Sequence, residues 1–275
     1  TGYDTHMPLS TAEGLLRAYV RSEAHGICHP PSVIHHALLR WLLTQSEKPV
    51  HRSQEGNPEL EIGNDGWLFQ ERRLWSRRAP GNTCIGALRQ SRHFGDLARN
   101  DSKGCGGVMR VAPCAFFSNP FETAADSARM SHGHPTGYLA AGLFADILSR
   151  MWRHCQPPLK ALQESLQEHG DKPCMDETRK ALEQILLFYR QGIAPTPQRI
   201  EAFGGGWVAE EALAIGLWCA LFAENFADGI ALAVNHSGDS DSTGLITGHF
   251  LGLAHGVTAI PVHLLDQLEL RDVIE

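Results

Sequence analysis

The sequence lacks the cysteine spacing that marks a disulfide framework or a zinc ribbon. Its seven cysteines are an odd number, and no two of them form a C-x-x-C pair. At 275 residues, the chain is also long enough to bury a core without covalent cross-links. We therefore expect reduced cysteines and a cytoplasmic protein.

Long apolar runs and an excess of positive charge are also absent. The longest apolar run, residues 212–223, is shorter than the about 20 residues that cross a bilayer. No charged and then apolar leader opens the chain. Lys and Arg together number 24 against 31 Asp and Glu, a net charge of −7. These features argue against a membrane and against nucleic acid as the main partner.

Stretches that alternate with a period of two are scarce, whereas helical periodicity recurs along the chain. Apolar residues return at intervals of three and four in residues 9–20, 33–43, 139–151, 181–189 and 208–222. A polar, glycine-containing segment, residues 51–66, is predicted to be a loop. Because we find no fixed-period repeat and no low-complexity linker, the sequence predicts one all-α domain spanning residues 1–275.

Four glycines, Gly244, Gly248, Gly252 and Gly256, recur every four residues and would form one ridge along a helix. Each glycine costs roughly 1 kcal/mol relative to alanine inside a helix. We therefore expect a neighbouring backbone to pack closely against this ridge. The helix should lie deep in the fold and begin just after a cluster of acids.

That cluster, residues 237–244, reads S-G-D-S-D-S-T-G. Asp and Ser at a helix start are ordinary N-caps, and this interpretation stays open. A cap needs one oxygen acceptor, whereas Asp239, Asp241 and Ser242 offer several hard ligands suited to Mg²⁺ or Mn²⁺. Two acids buried together repel unless a cation or a proton joins them. The excess of acid favours a metal site.

Three other segments could carry chemistry. Asp4 precedes the first helical segment and is either an N-cap or a further ligand. The loop K-G-C-G-G-V-M-R from Lys103 could bind a pyrophosphate through backbone N–H groups, although most such loops mark tight turns. Cys105 within it has no identifiable base that would make it a nucleophile. The segment S-H-G-H-P-T-G from Ser131 holds two histidines, too few for a zinc site.

Six ordered segments together resemble the ADP-ribosylglycohydrolase family, and the resemblance covers nearly the whole chain. They are D-T-H-M from Asp4, G-N-T-C from Gly81, S-K-G-C-G-G-V-M-R-V-A-P from Ser102, S-H-G-H-P-T-G from Ser131, G-G-G-W-V-A-E-E-A-L from Gly204 and N-H-S-G-D-S-D-S-T-G from Asn235. The resemblance implies a compact multi-helix orthogonal bundle. It also implies that residues 1–275 lack the family's N-terminal segment, an earlier glycine-rich helix with an acidic residue.

The resemblance further implies a hydrolase that removes ADP-ribose from ADP-ribosylated arginine on proteins. An ADP-ribosylated protein would be the partner and ADP-ribose the product. The arginine acceptor rests on the S-K-G-C-G and H-P-T-G segments, which are most similar to the arginine-specific branch. Two Mg²⁺ ions, or Mn²⁺, would be held by Asp4, Asp239, Asp241 and Ser242, with the three aspartates catalytic. Substrate would be bound by Lys103, Gly104, Cys105, Gly106, Gly107 and His132.

One segment departs from the family pattern. Where family members have a hydroxyl residue followed by Asp-Asp-Thr, this sequence reads Gly2-Tyr3-Asp4-Thr5. A glycine and a tyrosine thus replace two potential ligands. The alternative function is therefore a catalytically weakened member that binds ADP-ribose or a protein partner without turnover. A third hypothesis is a structural member without a nucleotide ligand.

Overall fold

The computed structural model describes residues 2–49, 62–63 and 65–275. Most of the loop predicted for residues 51–66 therefore lies outside the described residues. Within the described part of the chain there are helices and turns but no β-strand, apart from an isolated bridge between Gly104 and Val208. The predicted all-α class is confirmed.

The α-helices of the described residues follow one another with short connections. They are α1 (Tyr3–His25), α2 (Pro30–Thr44), α3 (Trp67–Gln70), α4 (Asn82–Arg89), α5 (Pro120–Arg129), α6 (Pro135–His154), α7 (Pro158–His169), α8 (Asp176–Arg190), α9 (Pro197–Phe203), α10 (Ala209–Phe222), α11 (Phe226–Val234), α12 (Ser240–His255), α13 (Val262–Asp266) and α14 (Arg271–Ile274). The five segments with helical periodicity lie in α1, α2, α6, α8 and α10. No helix in the described ranges is long and apolar enough to cross a membrane.

Proline sets the start of several helices. α2, α5, α6, α7 and α9 each carry a proline at the first or second helical position. The missing N–H of proline costs nothing there, because the first amides of a helix have no intrahelical partner. These helix starts are therefore encoded locally in the sequence.

The centre of the fold is α10, which is buried along almost its whole length. It packs against α6, α8, α11 and α12, as its apolar composition on every side predicts. α1 packs mainly against α2 and also contacts α12. This last contact brings the N-terminal helix to the acidic start of α12.

The glycine ridge of α12 is not covered as the sequence analysis predicts. A Cβ atom on Gly244 would lie 2.7 Å from the Val234 side chain, and one on Gly248 would make an ordinary contact with the Ile230 side chain at 3.6 Å. A Cβ on Gly252 would have no neighbour within 4 Å. Gly256 ends the helix with a φ of +76°. The prediction of a backbone packed along the ridge is wrong, because only Gly244 of the four is buried and its near neighbour is a side chain.

The close approach to α12 comes instead from the partner helix. A Cβ on Gly216 of α10 would lie 2.5 Å from the Ile246 side chain and 3.4 Å from the Thr247 backbone nitrogen. Thr247 Oγ1 in turn donates a hydrogen bond of 3.0 Å to the Gly216 carbonyl. The glycine that permits the tight packing of these two helices is therefore in α10, and the prediction that α12 lies deep in the fold is correct.

Candidate active site

A cavity of about 300 Å³ lies where the N-terminal ends of α1, α4 and α12 meet the glycine-rich loop. Its acidic wall is formed by Asp4, Asp239, Asp241 and Ser242. The loop residues 104–106 also line the cavity. The structure thus brings all four of the predicted metal ligands to one cavity, together with part of the predicted substrate loop.

Asp4 and the start of α12 are joined directly. Ser242 Oγ donates a hydrogen bond of 2.9 Å to Asp4 Oδ1, although the two residues are 238 positions apart in the chain. Asp4 lies in the first turn of α1, whose N-cap is Gly2 and has no side-chain cap. The Gly2 carbonyl accepts hydrogen bonds from the amides of Thr5 and His6. Asp4 is therefore free of a capping role and faces α12.

Asp239 occupies the N-cap position of α12, but its carboxylate makes no capping hydrogen bond. The thiol of Cys105 donates to Asp239 Oδ2 at 2.6 Å instead. The Asp239 amide donates to the Gly205 carbonyl at 2.8 Å. A Cβ on Gly238 would overlap that same carbonyl oxygen, so only glycine allows the two chain segments to cross here. The ordinary N-cap interpretation therefore does not account for Asp239.

Burial and mutual repulsion shift the proton affinities of this cluster. Burial, followed by the charge of Asp241, raises the pKa of Asp4 to about 7. Burial and a hydrogen bond with Asp241 raise the pKa of Asp239 to about 6. Burial acts against ionisation of Asp241 too, but hydrogen bonds from Asp239, Asp4 and the backbone hold its pKa below the ordinary value. Near neutral pH, the cluster is thus poised to share protons between its carboxyl groups.

The chemistry of these donors fits a hard divalent cation, since three carboxylates and a hydroxyl supply only oxygen ligands. Their spacing is that of a hydrogen-bonded cluster. Among residues 2–49, 62–63 and 65–275, no group of three or more His, Cys, Asp and Glu side chains is arranged to hold a metal ion. The four side chains therefore have the ligand chemistry and the charge that a divalent cation requires, but they are not arranged as a complete coordination shell.

The glycine-rich loop is anchored to the segment before α10. The Cys105 amide donates to the Trp207 carbonyl at 3.2 Å, and the Ala209 amide donates to the Lys103 carbonyl at 2.8 Å. The Gly104 amide donates to Ser102 Oγ at 3.3 Å. Gly104, Cys105 and Gly106 line the cavity, yet two of their three amides already have partners. The predicted diphosphate contact stays a prediction.

Lys103 and Gly107 do not line this cavity. Lys103 Nζ donates to Glu210 Oε1 at 2.5 Å and to Glu177 Oε2 at 2.8 Å. Thr136 Oγ1 also donates to Glu177, at 2.9 Å. Lys103 therefore connects its loop to α8 and α10, and its predicted contact with substrate stays untested.

His132 is almost fully buried and lines the cavity beside the glycine-rich loop. Its Nδ1 lies 2.9 Å from Ser131 Oγ. Burial, with a smaller effect of the Arg110 charge, lowers the pKa of His132 to about 3. The imidazole is therefore neutral near pH 7 and can offer a hydrogen bond rather than a positive charge.

Trp207 is a cavity residue that the sequence analysis did not assign to the site, whereas Tyr3 lines the cavity in the segment where the sequence departs from the family pattern. The Tyr3 ring lines the cavity and lies 5.8 Å from the Trp41 ring, measured between centroids. Its hydroxyl is buried without a hydrogen bond of ordinary geometry, and burial raises its pKa. Trp207 is 60% exposed at the cavity edge. Trp207 lies within the G-G-G-W-V-A-E-E-A-L segment of the family resemblance and Tyr3 directly precedes the D-T-H-M segment, so these segments were the available signal.

The described residues form a helical bundle with an acidic cavity. Residues 1–275 match the family model of the ADP-ribosylglycohydrolases, and the chain belongs to this family. The resemblance seen in the sequence is confirmed, and membership supports hydrolase activity on an ADP-ribosyl linkage.

Two known proteins illustrate the relationship. The ADP-ribosyl-[dinitrogen reductase] glycohydrolase of Rhodospirillum rubrum is 24% identical over 241 residues, which cover 83% of this chain and 73% of the relative. A solved structure described as an ADP-ribosylglycohydrolase-related protein complex has a TM-score of 0.67 and 24% sequence identity. The match covers 98% of this chain and 77% of that one. This likeness shows that the two chains share a fold.

Proposed function

We propose that this protein is a Mg²⁺-dependent hydrolase that removes ADP-ribose from ADP-ribosylated arginine on proteins. The main observation behind this proposal is that Asp4 lines the same cavity as Asp239, Asp241 and Ser242. Family membership supplies the general reaction, and the acidic cluster supplies the reason to propose a metal. Seven free cysteines support a cytoplasmic location as part of the same proposal.

The need for a cation follows from the charges of the cluster. Ionising all three carboxylates in one partly buried site is costly, as the raised pKa values of Asp4 and Asp239 indicate. Asp4, Asp239, Asp241 and the Ser242 hydroxyl would hold a divalent ion, either Mg²⁺ or Mn²⁺. The family resemblance implies two ions, and Tyr3 stands where a further carboxylate would supply a ligand for the second.

The bond that breaks joins the anomeric carbon of the ribose to a guanidine nitrogen. A water oxygen forms the new bond to that carbon and a carboxylate of the cluster accepts the water proton. The guanidine nitrogen leaves with the electron pair of the broken bond and takes up that proton from the carboxylate. A bound divalent cation would supply Lewis acidity and lower the pKa of the attacking water. His132 and residues 104–106 would contact the ADP-ribose, with the neutral imidazole acting as a hydrogen-bond partner.

A protein-bound substrate is supported by the comparison with the R. rubrum enzyme. The name of that enzyme states that it acts on ADP-ribosylated dinitrogen reductase. Arginine as the modified residue is supported by the S-K-G-C-G segment from Ser102 and the H-P-T-G segment from His134, which resemble the arginine-specific branch of the family. The acceptor is the most specific part of the proposal and is tested separately.

The test measures ADP-ribose released from two peptides, one modified on arginine and the other on serine. Release from the arginine peptide with Mg²⁺, but not with a chelator, is the expected result. Release that persists in the chelator would contradict the metal dependence. Release from the serine peptide alone would contradict the arginine acceptor while retaining a glycohydrolase.

A second candidate function is binding of ADP-ribose without turnover. Tyr3 favours it, because its ring occupies part of the cavity wall next to Asp4 and its hydroxyl lies near Gly106. Calorimetric titration with ADP-ribose distinguishes the candidates when combined with the release assay. Measurable affinity with zero release would favour the binding function, and no heat would exclude both.

A further inference from the structure

Arg110 is a fully buried cation beneath the candidate active site. It lies in the short 3₁₀ turn Val108–Arg110, directly after the glycine-rich loop, and its relative exposure is 0%. One guanidinium nitrogen, Nη1, donates to the Gly106 carbonyl at 2.9 Å. The other, Nη2, donates to the Ser127 carbonyl at 2.7 Å. Nε has no hydrogen-bond partner.

No carboxylate neutralises this charge within the described residues. The ion pairs of that part of the chain include none with Arg110, and its Nη1 lies 3.6 Å from the uncharged Cys84 thiol sulfur. A buried arginine is normally paired with an acid, since an isolated buried charge is costly. Arg110 thus carries a positive charge for which the described fold supplies no anion.

Arg40 shows the ordinary arrangement in the same molecule. It is also almost fully buried, with 1% relative exposure. Arg40 Nη2 lies 3.4 Å from Glu13 Oε1, and Nη1 lies 3.9 Å from Asp65 Oδ1. Arg40 is therefore a buried cation of the same chemistry with its counter-charge present, and it does not line the candidate active site.

The charge of Arg110 reaches the cavity through the loop. Gly106, whose carbonyl it holds, lines the cavity, and so does Cys84. The same positive charge acts on the nearby His132 and Tyr3, lowering the pKa of His132 and opposing the rise in that of Tyr3. An anion in the cavity would therefore lie within the field of an otherwise unneutralised guanidinium in a medium of low dielectric constant.

We propose that Arg110 is a positioning residue for the anionic part of the substrate, holding residues 104–106 in place and supplying the charge that balances the bound diphosphate. The identity of the anion rests on the proposed function. Arg110 makes no contact with substrate itself and acts through the Gly106 carbonyl and through its field. Its positive charge, rather than only its two hydrogen bonds, is the property that matters for binding.

The test compares Arg110→Gln and Arg110→Lys with the wild-type chain by calorimetric titration with ADP-ribose at low and high KCl. Arg110→Gln should bind at least tenfold more weakly at low salt and lose most of the salt dependence. Arg110→Lys keeps the charge but not the planar fork, so it should stay within about threefold of the wild type. Inorganic pyrophosphate, used as a competitor, should follow the same order among the three proteins.

The matched control is Arg40→Gln, which removes a buried arginine of similar exposure that already has its counter-charge. It should lower the thermal midpoint without changing the ADP-ribose affinity or its salt dependence. If Arg110→Gln does not fold, a tenfold loss of affinity in Arg110→Lys would still overturn the role of charge.

Each alternative outcome has a distinct meaning. A lysine variant as weak as the glutamine variant, or tenfold weaker than the wild type, would overturn the role of charge. Unchanged affinity in Arg110→Gln would overturn the inference while leaving the proposed function intact. A wild-type chain that binds neither ADP-ribose nor pyrophosphate would overturn the proposed function and this inference together.

Discussion

The Ser242 hydroxyl donates a hydrogen bond to Asp4, a residue that lies 238 positions earlier in the sequence. This bond joins the first turn of α1 to the first turn of α12. Because both helices present their N-terminal ends to the same cavity, the oxygen atoms gather where helix dipoles favour negative charge. The acidic cluster is therefore a product of the tertiary fold and not of one local motif.

Asp239 tests the role of the cluster in activity. Asp239→Ala should lower ADP-ribose release by at least about 100-fold, because it removes one of the three carboxylates proposed to hold the cation. Circular dichroism should show nearly unchanged helical content. The control is Asp176→Ala in α8, whose carboxylate is 88% exposed. Activity retained in Asp239→Ala would refute its assignment as a ligand.

Asp4 tests the charge balance of the ion-free protein. The raised pKa of Asp4, about 7 against 3.8, means that the folded state binds a proton more tightly than the unfolded chain. Its contribution to stability therefore falls as the pH rises from about 4 to 7. Asp4→Asn should raise the free energy of unfolding at pH 8 by about 1–2 kcal/mol and have little effect near pH 4.

The same variant separates stability from ion binding. Mg²⁺ should raise the thermal midpoint of the wild-type chain at pH 8, because a ligand that binds only the folded state stabilises it. Asp4→Asn should show little or no such rise. Equal stabilisation of both proteins by Mg²⁺ would place the ion elsewhere.

Gly238 tests how tightly the Asp239 backbone is positioned. Gly238→Ala should cost at least about 2 kcal/mol of stability and also reduce activity, since the new Cβ would overlap the Gly205 carbonyl. Gly252→Ala is the matched control, because a Cβ there meets nothing within 4 Å. It should stabilise α12 by roughly 0.5–1 kcal/mol. Chemical denaturation measures the free energy of unfolding of both variants. Equal effects of the two substitutions would contradict the close approach of Gly238 to the Gly205 carbonyl.

The burial of His35 predicts that the protein loses stability in acid for a reason unrelated to the candidate active site. Its Nδ1 accepts a hydrogen bond from the Gly95 amide at 2.8 Å, and its Nε2 lies 3.1 Å from Ser91 Oγ. Burial lowers the pKa of His35 to about 4 from 6.5. The unfolded chain therefore binds the proton first as the pH falls, and this stabilisation is lost between about pH 6.5 and 4.

The expected size of that loss is on the order of 3 kcal/mol for His35 alone. His35→Gln should be less stable than the wild type at pH 7.5, but its stability should fall less steeply between pH 6.5 and 4. Urea denaturation at several pH values measures the two slopes. Parallel curves for the two proteins would show that His35 is protonated in the folded state as readily as in the unfolded chain.

Much of the fold was predictable because its signals are local. The periodic apolar positions of α1, α2, α6, α8 and α10 depend on residues three and four apart. The density of oxygen donors at 239–242 also exceeds what a helix cap requires, and this local signal marks the helix start that lines the acidic cavity. In these cases the local sequence pattern is enough to predict the element that forms in the folded protein.

The remaining features depend on contacts between distant parts of the chain. The spacing of the glycines in α12 does not show which way they face. The sequence therefore predicts close packing at these glycines, whereas the close approach is at Gly216 of α10. The Lys103 side chain was expected in the substrate site, whereas the acids that hold it come from α8 and α10. The unneutralised charge of Arg110 is likewise visible only once its surroundings are known.

The most direct test of the central claim is the anomalous diffraction of crystals soaked in Mn²⁺. The account predicts a manganese peak between Asp4, Asp239 and Asp241, with carboxylate oxygens at coordination distance and Ser242 beside them. The peak should be absent in Asp239→Ala. Manganese bound only elsewhere, for example at Glu177 and Glu210, or no peak in the wild-type cavity, would contradict the claim that these carboxylates form a metal centre.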